Sequence, residues 1–121
     1  MTDRIILAGM NFWGYHGVRP EENSLGQPFI IDLELYLDLQ QAGRSDDLED
    51  TVSYSLVYRL VKEIVTGKPR RLLENIAETI AARVLEEFPV QEVLVRVKKP
   101  HVPLPGIVDY AAVEIRRGRT R

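Results

Sequence analysis

Apolar residues recur along this chain with two different periods. From Leu72 to Phe88, the positions Leu72, Leu73, Ile76, Ala77, Ile80, Ala81, Val84, Leu85 and Phe88 keep i, i+3, i+4 spacing. That predicts a helix over 72–88 with one buried stripe, stopped by Pro89. Leu56, Val57, Leu60, Val61, Ile64 and Val65 predict a preceding helix over 55–65, with Ser53 or Ser55 as N-cap and Gly67-Lys68-Pro69 as its stop. Elsewhere the period is two. Phe29, Ile31, Leu33, Leu35, Leu37 and Leu39 alternate with a face that carries Asp32, Glu34 and Asp38, which predicts a strand over 29–39. Residues 90–99 alternate with Val93, Val95 and Val97 inward and Arg96 and Lys98 outward. Residues 110–116 do so with Ala111, Val113 and Ile115. Residues 4–13 are β-rich and fit no helical stripe.

The connections are expected to be irregular. Residues 14–27 (GYHGVRPEENSLGQ) hold three glycines and a proline and read as a loop. Residues 40–53 read as a loop with one helical turn. The segment PHVPLPGIVD is stiffened by three prolines and cannot be a central strand. The order is β-β-α-α-β-β, an α+β fold: a four-stranded antiparallel sheet with two helices on its apolar face. A second strand of roughly 35 Å, at about 3.3 Å per residue, is hard to match within so small a sheet. The two sheet edges are templates for pairing with other copies. A face mixing Asp32, Glu34 and Asp38 with Arg96, Lys98 and Arg116 suits either an ordinary solvated sheet or the wet lumen of a closed barrel.

At 121 residues, 45% of them hydrophobic, the chain is expected to form one domain spanning 1–121. Its net charge of −2 provides no general attraction for nucleic acid, and the basic stretch from Arg116 to Arg121 reads as a solvated terminus. With no cysteine and only His16 and His101, thiolate chemistry and histidine-rich metal centres are excluded. Ile5 to Ala8 is too short for a signal or membrane span, so a soluble cytoplasmic protein without membrane partners is the expectation.

Few residues remain that carry chemistry. Glu74 lies in the first turn of the 72–88 helix. It either complements the helix dipole or waits in a partly apolar wall for a ligand with paired N–H donors. Glu21 and Glu22 follow Pro20, a setting where acids are usually solvated. Tyr54 stands where a polar loop meets a helix start, and there a phenol commonly packs with its hydroxyl exposed. Lys99 shares the parity of Val93, Val95 and Val97, so a straight strand turns it inward, where a lysine either snorkels or works. No glycine-rich phosphate loop or nucleophile elbow is present.

The segments GYHGV, PEEN, GQPF, SDDLEDTVSYSLV, LLENIAETIA and KKPHVPLPG, in that order between Ile5 and Arg116, resemble dihydroneopterin aldolase of the folate pathway. The resemblance implies the tunnelling fold, in which such subunits join edge to edge into a barrel. It also implies a tetrameric ring, two of which stack into an octamer, with active sites between subunits and no cofactor or metal. By the same resemblance, Glu74 anchors the pterin. Leu73 and the backbone around Val52 and Ser53 form the slot for its ring. Tyr54, Glu22 and Lys99 surround the trihydroxypropyl side chain: Lys99 relays the 2′-hydroxyl proton, Tyr54 serves C1′, and Glu22 positions hydroxyls and holds Lys99. The implied reaction is retro-aldol cleavage of 7,8-dihydroneopterin, with 2′-epimerisation as a side reaction. Two alternatives stand beside it: an epimerase of dihydroneopterin triphosphate, and a non-catalytic pterin- or purine-binding oligomeric module.

Overall fold

A computed structural model describes residues 3–119. The four strands are β1 (Arg4–Gly14), β2 (Gln27–Tyr36), β3 (Glu92–Lys99) and β4 (Ala111–Gly118). They form one antiparallel sheet in the order β1-β2-β3-β4. Helices α3 (Tyr54–Val65) and α4 (Leu73–Glu87) cover one face, meeting β1, β3 and β4. The expected β-β-α-α-β-β order holds, with short additions: α1 (Pro20–Leu25), α2 (Gln40–Ser45) and a 3₁₀ turn, Leu48–Asp50.

The inner face is the alternating set read from the sequence. Phe29, Ile31, Leu33 and Leu35 of β2 and Val93, Val95 and Val97 of β3 are fully buried against Val57, Val61, Ile76, Ile80 and Val84. Strand β1 shows why its own pattern was harder to read. Leu7 pairs with Leu33 but Met10 with Ile31, so the strand carries one residue too many between them. This β-bulge switches the inward positions from Ile5 and Leu7 to Met10 and Phe12. At the bulge Gly9 takes a φ of 70°, a conformation that favours glycine, and its amide donates to Asp32 Oδ1 at 2.7 Å.

Two expectations change and two are refined. The 14–27 segment is not loop throughout: Pro20 is the first residue of α1 rather than a breaker, its fixed φ suiting a position that needs no N–H. Strand β2 stops at Tyr36 and not at Leu39. It is matched by β1 from Arg4 to Gly14, so no unmatched length remains, and Asp38 lies beyond the sheet face. Ser53 is the N-cap of α3, but its hydroxyl lies 3.0 Å from that of Ser55 instead of capping the backbone. The basic end is tied down where it is described. Arg116 pairs with Glu92, Arg117 with Glu78, and Arg119 Nη2 donates to the Phe88 carbonyl at 2.6 Å. Thr120 and Arg121 of that stretch lie outside the described residues.

The outer face is a web of charges. Asp32, only 8% exposed, accepts from the Gly9 amide and faces Arg96 at 3.3 Å and Lys98 at 3.0 Å. The Arg116 guanidinium lies 4.4 Å from the Tyr36 ring centroid. Among the described residues no helix is long and apolar enough to cross a membrane. Leu33 is fully buried at the centre of the sheet's inner face. Leu33→Ala is therefore expected to destabilise the fold by about 2–5 kcal/mol, read as a lower urea midpoint at an unchanged slope.

Candidate active site

The last inward position of β3 is Lys99, opposite Ala111 of β4. Three fully buried valines precede it on the same face, so its stem leaves the core with little solvent beside it. Helix α1 supplies what the ammonium needs: Lys99 Nζ forms an ion pair with Glu22 Oε2, the two side chains being 13% and 10% exposed. Glu22 is itself held from three sides. Its Oε1 accepts from the Arg19 amide at 3.2 Å, a bond that also caps α1, and its Oε2 accepts from Gln27 Nε2 at 3.0 Å. Gln27 is buried, and its Oε1 has no protein donor among the described residues. Burial pushes the Glu22 carboxyl up, but hydrogen bonds from Lys99, Gln27 and the Arg19 amide, with the Lys99 charge, outweigh it and hold the group below its ordinary 4.5. Glu22 is thus an ionised acceptor at neutral pH. Its neighbour Glu21 is exposed, as expected of loop acids.

Gly17 makes room for this arrangement. Its φ is 142°, and a Cβ there would run into the Glu22 side chain. Asn23 of α1 donates to the Tyr15 carbonyl at 3.0 Å and the Gly17 carbonyl at 3.1 Å, fastening the helix to the end of β1. His16 lies between those residues and is 1% exposed. Its Nε2 is 2.6 Å from the Val65 carbonyl, and its Nδ1 accepts from the Arg70 amide at 3.0 Å. An imidazole that donates through Nε2 and accepts through Nδ1 is neutral.

The other candidates sit in two further places. Val52, Ser53 and Tyr54 line a hollow of about 650 Å³ with Ile5, Leu39 and Leu48. Val52 is buried, while Tyr54 is 61% exposed, its ring open to whatever fills the hollow. Leu73 is half-buried at the start of α4, and Glu74 follows it, exposed, with the exposed Leu72 before them. No side chain caps this helix, and among the described residues Glu74 takes part in no hydrogen bond or ion pair, so its carboxylate is free to accept. Glu22 and Gln27 also border a smaller hollow of about 320 Å³ with Glu21, His101, Val102 and Pro103. A third hollow, between α4 and β4 at Glu78, Leu85 and Arg117, holds none of the candidates. Within one chain, then, Glu22 and Lys99 are brought together, and Val52, Ser53 and Tyr54 share a wall. Glu74 borders neither hollow. Among the described residues no group of three or more His, Asp or Glu side chains is arranged to hold a metal ion.

Sequence reasoning missed Gln27, Gly17 and the buried role of His16. The signal for the last two is a histidine flanked closely by glycines, the GYHG stretch: a Cβ on Gly14 would run into the His16 ring, and one on Gly17 into the Glu22 side chain.

A four-stranded antiparallel sheet, two covering helices and a half-buried lysine–carboxylate pair at the border of a small hollow define a small α+β domain with the groups needed to move protons. Residues 5–116 match the family model for dihydroneopterin aldolase, and the chain belongs to that family. It is 49% identical over 119 residues to the dihydroneopterin aldolase of Bacillus subtilis (strain 168), covering 98% of this chain and 99% of that protein. Among solved structures, it is similar to E. coli dihydroneopterin aldolase in complex with neopterin, with a TM-score of 0.90 and 27% identity over 97% of this chain and 100% of that one. A dihydroneopterin aldolase from Burkholderia thailendensis bound to guanine is also similar, with a TM-score of 0.79 and 26% identity over 98% of this chain and 92% of that one.

Two titratable groups of the site, His16 and Glu22, set an acid dependence. Burial, followed by the charge of Arg70, lowers the His16 pKa from 6.5 against the opposing pull of the Val65 carbonyl. Unfolded chains take up this proton as pH falls through about 6.5 and folded ones do not, so stability is complete above that pH and declines below it. Glu22 adds a second loss below about 4.5, where its unfolded carboxyl protonates first. Urea titrations at stepped pH should show both phases, and His16→Gln should flatten the upper one while leaving the lower.

Proposed function

We propose that this chain is a dihydroneopterin aldolase that cleaves the C1′–C2′ bond of 7,8-dihydroneopterin, giving 6-hydroxymethyl-7,8-dihydropterin and glycolaldehyde. The observation that carries it is the Glu22–Lys99 pair, largely shielded from solvent at the end of an otherwise apolar strand face. Membership of the family and the neopterin held by the E. coli structure support it. Glu74 anchors the pterin, its carboxylate accepting from the 2-amino group and the adjacent ring N–H, a fork geometry that carboxylates also offer guanidinium groups. Leu73 and the backbone at Val52 and Ser53 hold the flat ring. Glu22 positions the side-chain hydroxyls and holds Lys99, which relays the proton from the 2′-hydroxyl, and Tyr54 serves the carbon at C1′.

Cleavage leaves a carbanion at C1′. The C6=N5 imine of the dihydropterin lies next to that carbon and takes up the electron pair, so the substrate is its own electron sink. The protein has only to place the ring, remove one proton and return another. No Schiff base to Lys99 and no metal enter this scheme. Recombination on the opposite face of the aldehyde gives the 2′-epimer. That Glu74 and the Tyr54 wall share no hollow within one chain supports a site completed between subunits. Edge pairing of β1 and β4 in neighbouring copies would bring such parts together in a ring, with two rings stacking as an octamer. The outer charged face then lines a wet lumen, and the protein acts in the cytoplasm.

Incubation with 7,8-dihydroneopterin and a chelator should release glycolaldehyde at an undiminished rate. Turnover of only the triphosphate would instead identify an epimerase, and turnover of neither a binding module. Lys99→Ala should lower kcat by about 10²–10⁴-fold, the usual weight of a positioned acid–base group. Glu74→Ala should weaken neopterin binding roughly 10–100-fold, equivalent to about 1.5–3 kcal/mol for hydrogen bonds to a charged acceptor. Its thermal stability should change little, since a first-turn acid contributes only about 0.3–1 kcal/mol to a helix. Equal affinity of variant and parent by titration would remove the anchor.

A further inference from the structure

His16 makes no contact with Glu22, Lys99 or Glu74 in the hydrogen bonds of this chain, yet it lies between the elements that carry them. On one side, Tyr15 and Gly17 are bound by Asn23 of α1, the helix of Glu22. On the other, the His16 ring holds both ends of the connection from α3 to α4: the Val65 carbonyl at 2.6 Å and the Arg70 amide at 3.0 Å. Gly17 closes the arrangement by donating its amide to the Arg70 carbonyl at 2.9 Å. Arg70 extends it, Nη1 donating to Asn75 Oδ1 at 2.7 Å in the first turn of α4, next to Glu74. The ring is further fixed edge-on to Phe29, 5.1 Å between centroids.

We infer that His16 is a positioning residue that sets the Glu22–Lys99 pair against the Leu73–Glu74 turn, through Asn23 on one side and Arg70 on the other. The inference rests on the proposed aldol cleavage. A buried neutral imidazole suits the task because it offers one donor and one acceptor on opposite sides of a rigid ring. Both are used, and each fixes a different part of the chain. If the two halves of the site are displaced by even an ångström, ring and proton relay no longer meet at the reacting carbons, a loss of about 10²-fold. Ground-state binding, dominated by the ring in its slot, is largely spared.

Two substitutions separate positioning from bulk packing. In His16→Asn the amide stands at the level of Nδ1 and can accept from the Arg70 N–H, whereas in His16→Gln it reaches the level of Nε2 and keeps only the Val65 bond. His16→Gln is expected to lower kcat for 7,8-dihydroneopterin by at least about 10-fold at a KM within about 3-fold of the parent, and His16→Asn to recover most of the loss. Equal loss in the two, or full kcat in His16→Gln, overturns the inference. Hydrogen exchange reads the same coupling without substrate. Segments 19–26 and 70–76 should both exchange faster in His16→Gln and return toward the parent in His16→Asn. Unchanged protection in either segment overturns it. A parent without turnover would count against the proposed activity alone, and exchange would still decide the role of His16.

Discussion

A lysine that follows three buried valines on the inner face of a strand has its methylenes in the core and its charge at the edge of it. Leaving such a charge desolvated and alone costs several kcal/mol, so the fold has to bring a carboxylate to it. Much of the local structure around the site answers to that need. Helix α1 is only six residues long and buries none of them, so apolar packing is not what holds it in place. What holds it are the Glu22 contacts with Lys99, Gln27 and the Arg19 amide, and Asn23 on the end of β1. Gly17 takes a backbone conformation few other residues tolerate, and in doing so leaves space for the Glu22 side chain. An ion pair of this kind adds little net stability over an apolar replacement. Its retention at the cost of a constrained loop makes sense for a pair with work to do.

The opposite face of the sheet uses charge differently. Asp32 is nearly as buried as the core, but it faces two cations and a backbone amide of the β1 bulge. Here the carboxylate is saturated by the protein itself, with burial pushing its pKa up and the Gly9 amide, Lys98 and Arg96 pulling it lower still. Glu74 is the converse, exposed and without a partner among the described residues. Three carboxylates in one small domain thus serve three ends, and the difference lies in their donors. Asp32 has a full set and is structural. Glu22 shares its set with a lysine. Glu74 has its acceptor capacity unspent, which suits the ligand role proposed for it.

The parts of this structure that follow from periodicity were legible. Inward positions on β2 and β3, the stripes of α3 and α4, and the inward turn of Lys99 depend on side chains alternating or recurring at fixed angles, which sequence displays directly. What was hidden depends on single backbone events. One extra residue at Ala8–Gly9 reverses the parity of β1, so no uniform alternation runs through it. Pro20 breaks a helix only from within; at its first position it starts one. Leu37 and Leu39 continued the alternation past Tyr36 because the core continues past the strand: Leu37 stays buried after the hydrogen-bond ladder ends. The site divides the same way. Periodicity turned Lys99 toward the core, but the carboxylate awaiting it comes from a helix that the glycines and proline of 14–27 concealed. The first-turn position marked Glu74 as a carboxylate that could await a ligand, but its reading as a pterin anchor, and the roles proposed for Tyr54, Val52 and Ser53, came from likeness to a family.

That division bears on how such a site can be assembled from so short a chain. Side chains that packing dictates are well fixed, but they belong to the core and are closed to a ligand. Side chains free to meet a ligand, such as Tyr54 and Glu74, stand exposed, where the fold alone gives them little precision. Precision then has to be supplied by hydrogen bonds made behind them. In this chain those bonds converge on the stretch from Tyr15 to Gly17, which holds α1 on one side and the approach to α4 on the other. A short segment thereby ties together the helix that carries Glu22 and the approach to the turn that carries Glu74, the two groups proposed above to serve the relay and the anchor. Catalysis by placement tolerates errors well below the size of an atom. The residues that keep the placement are therefore as much a part of the reaction as those that touch the substrate.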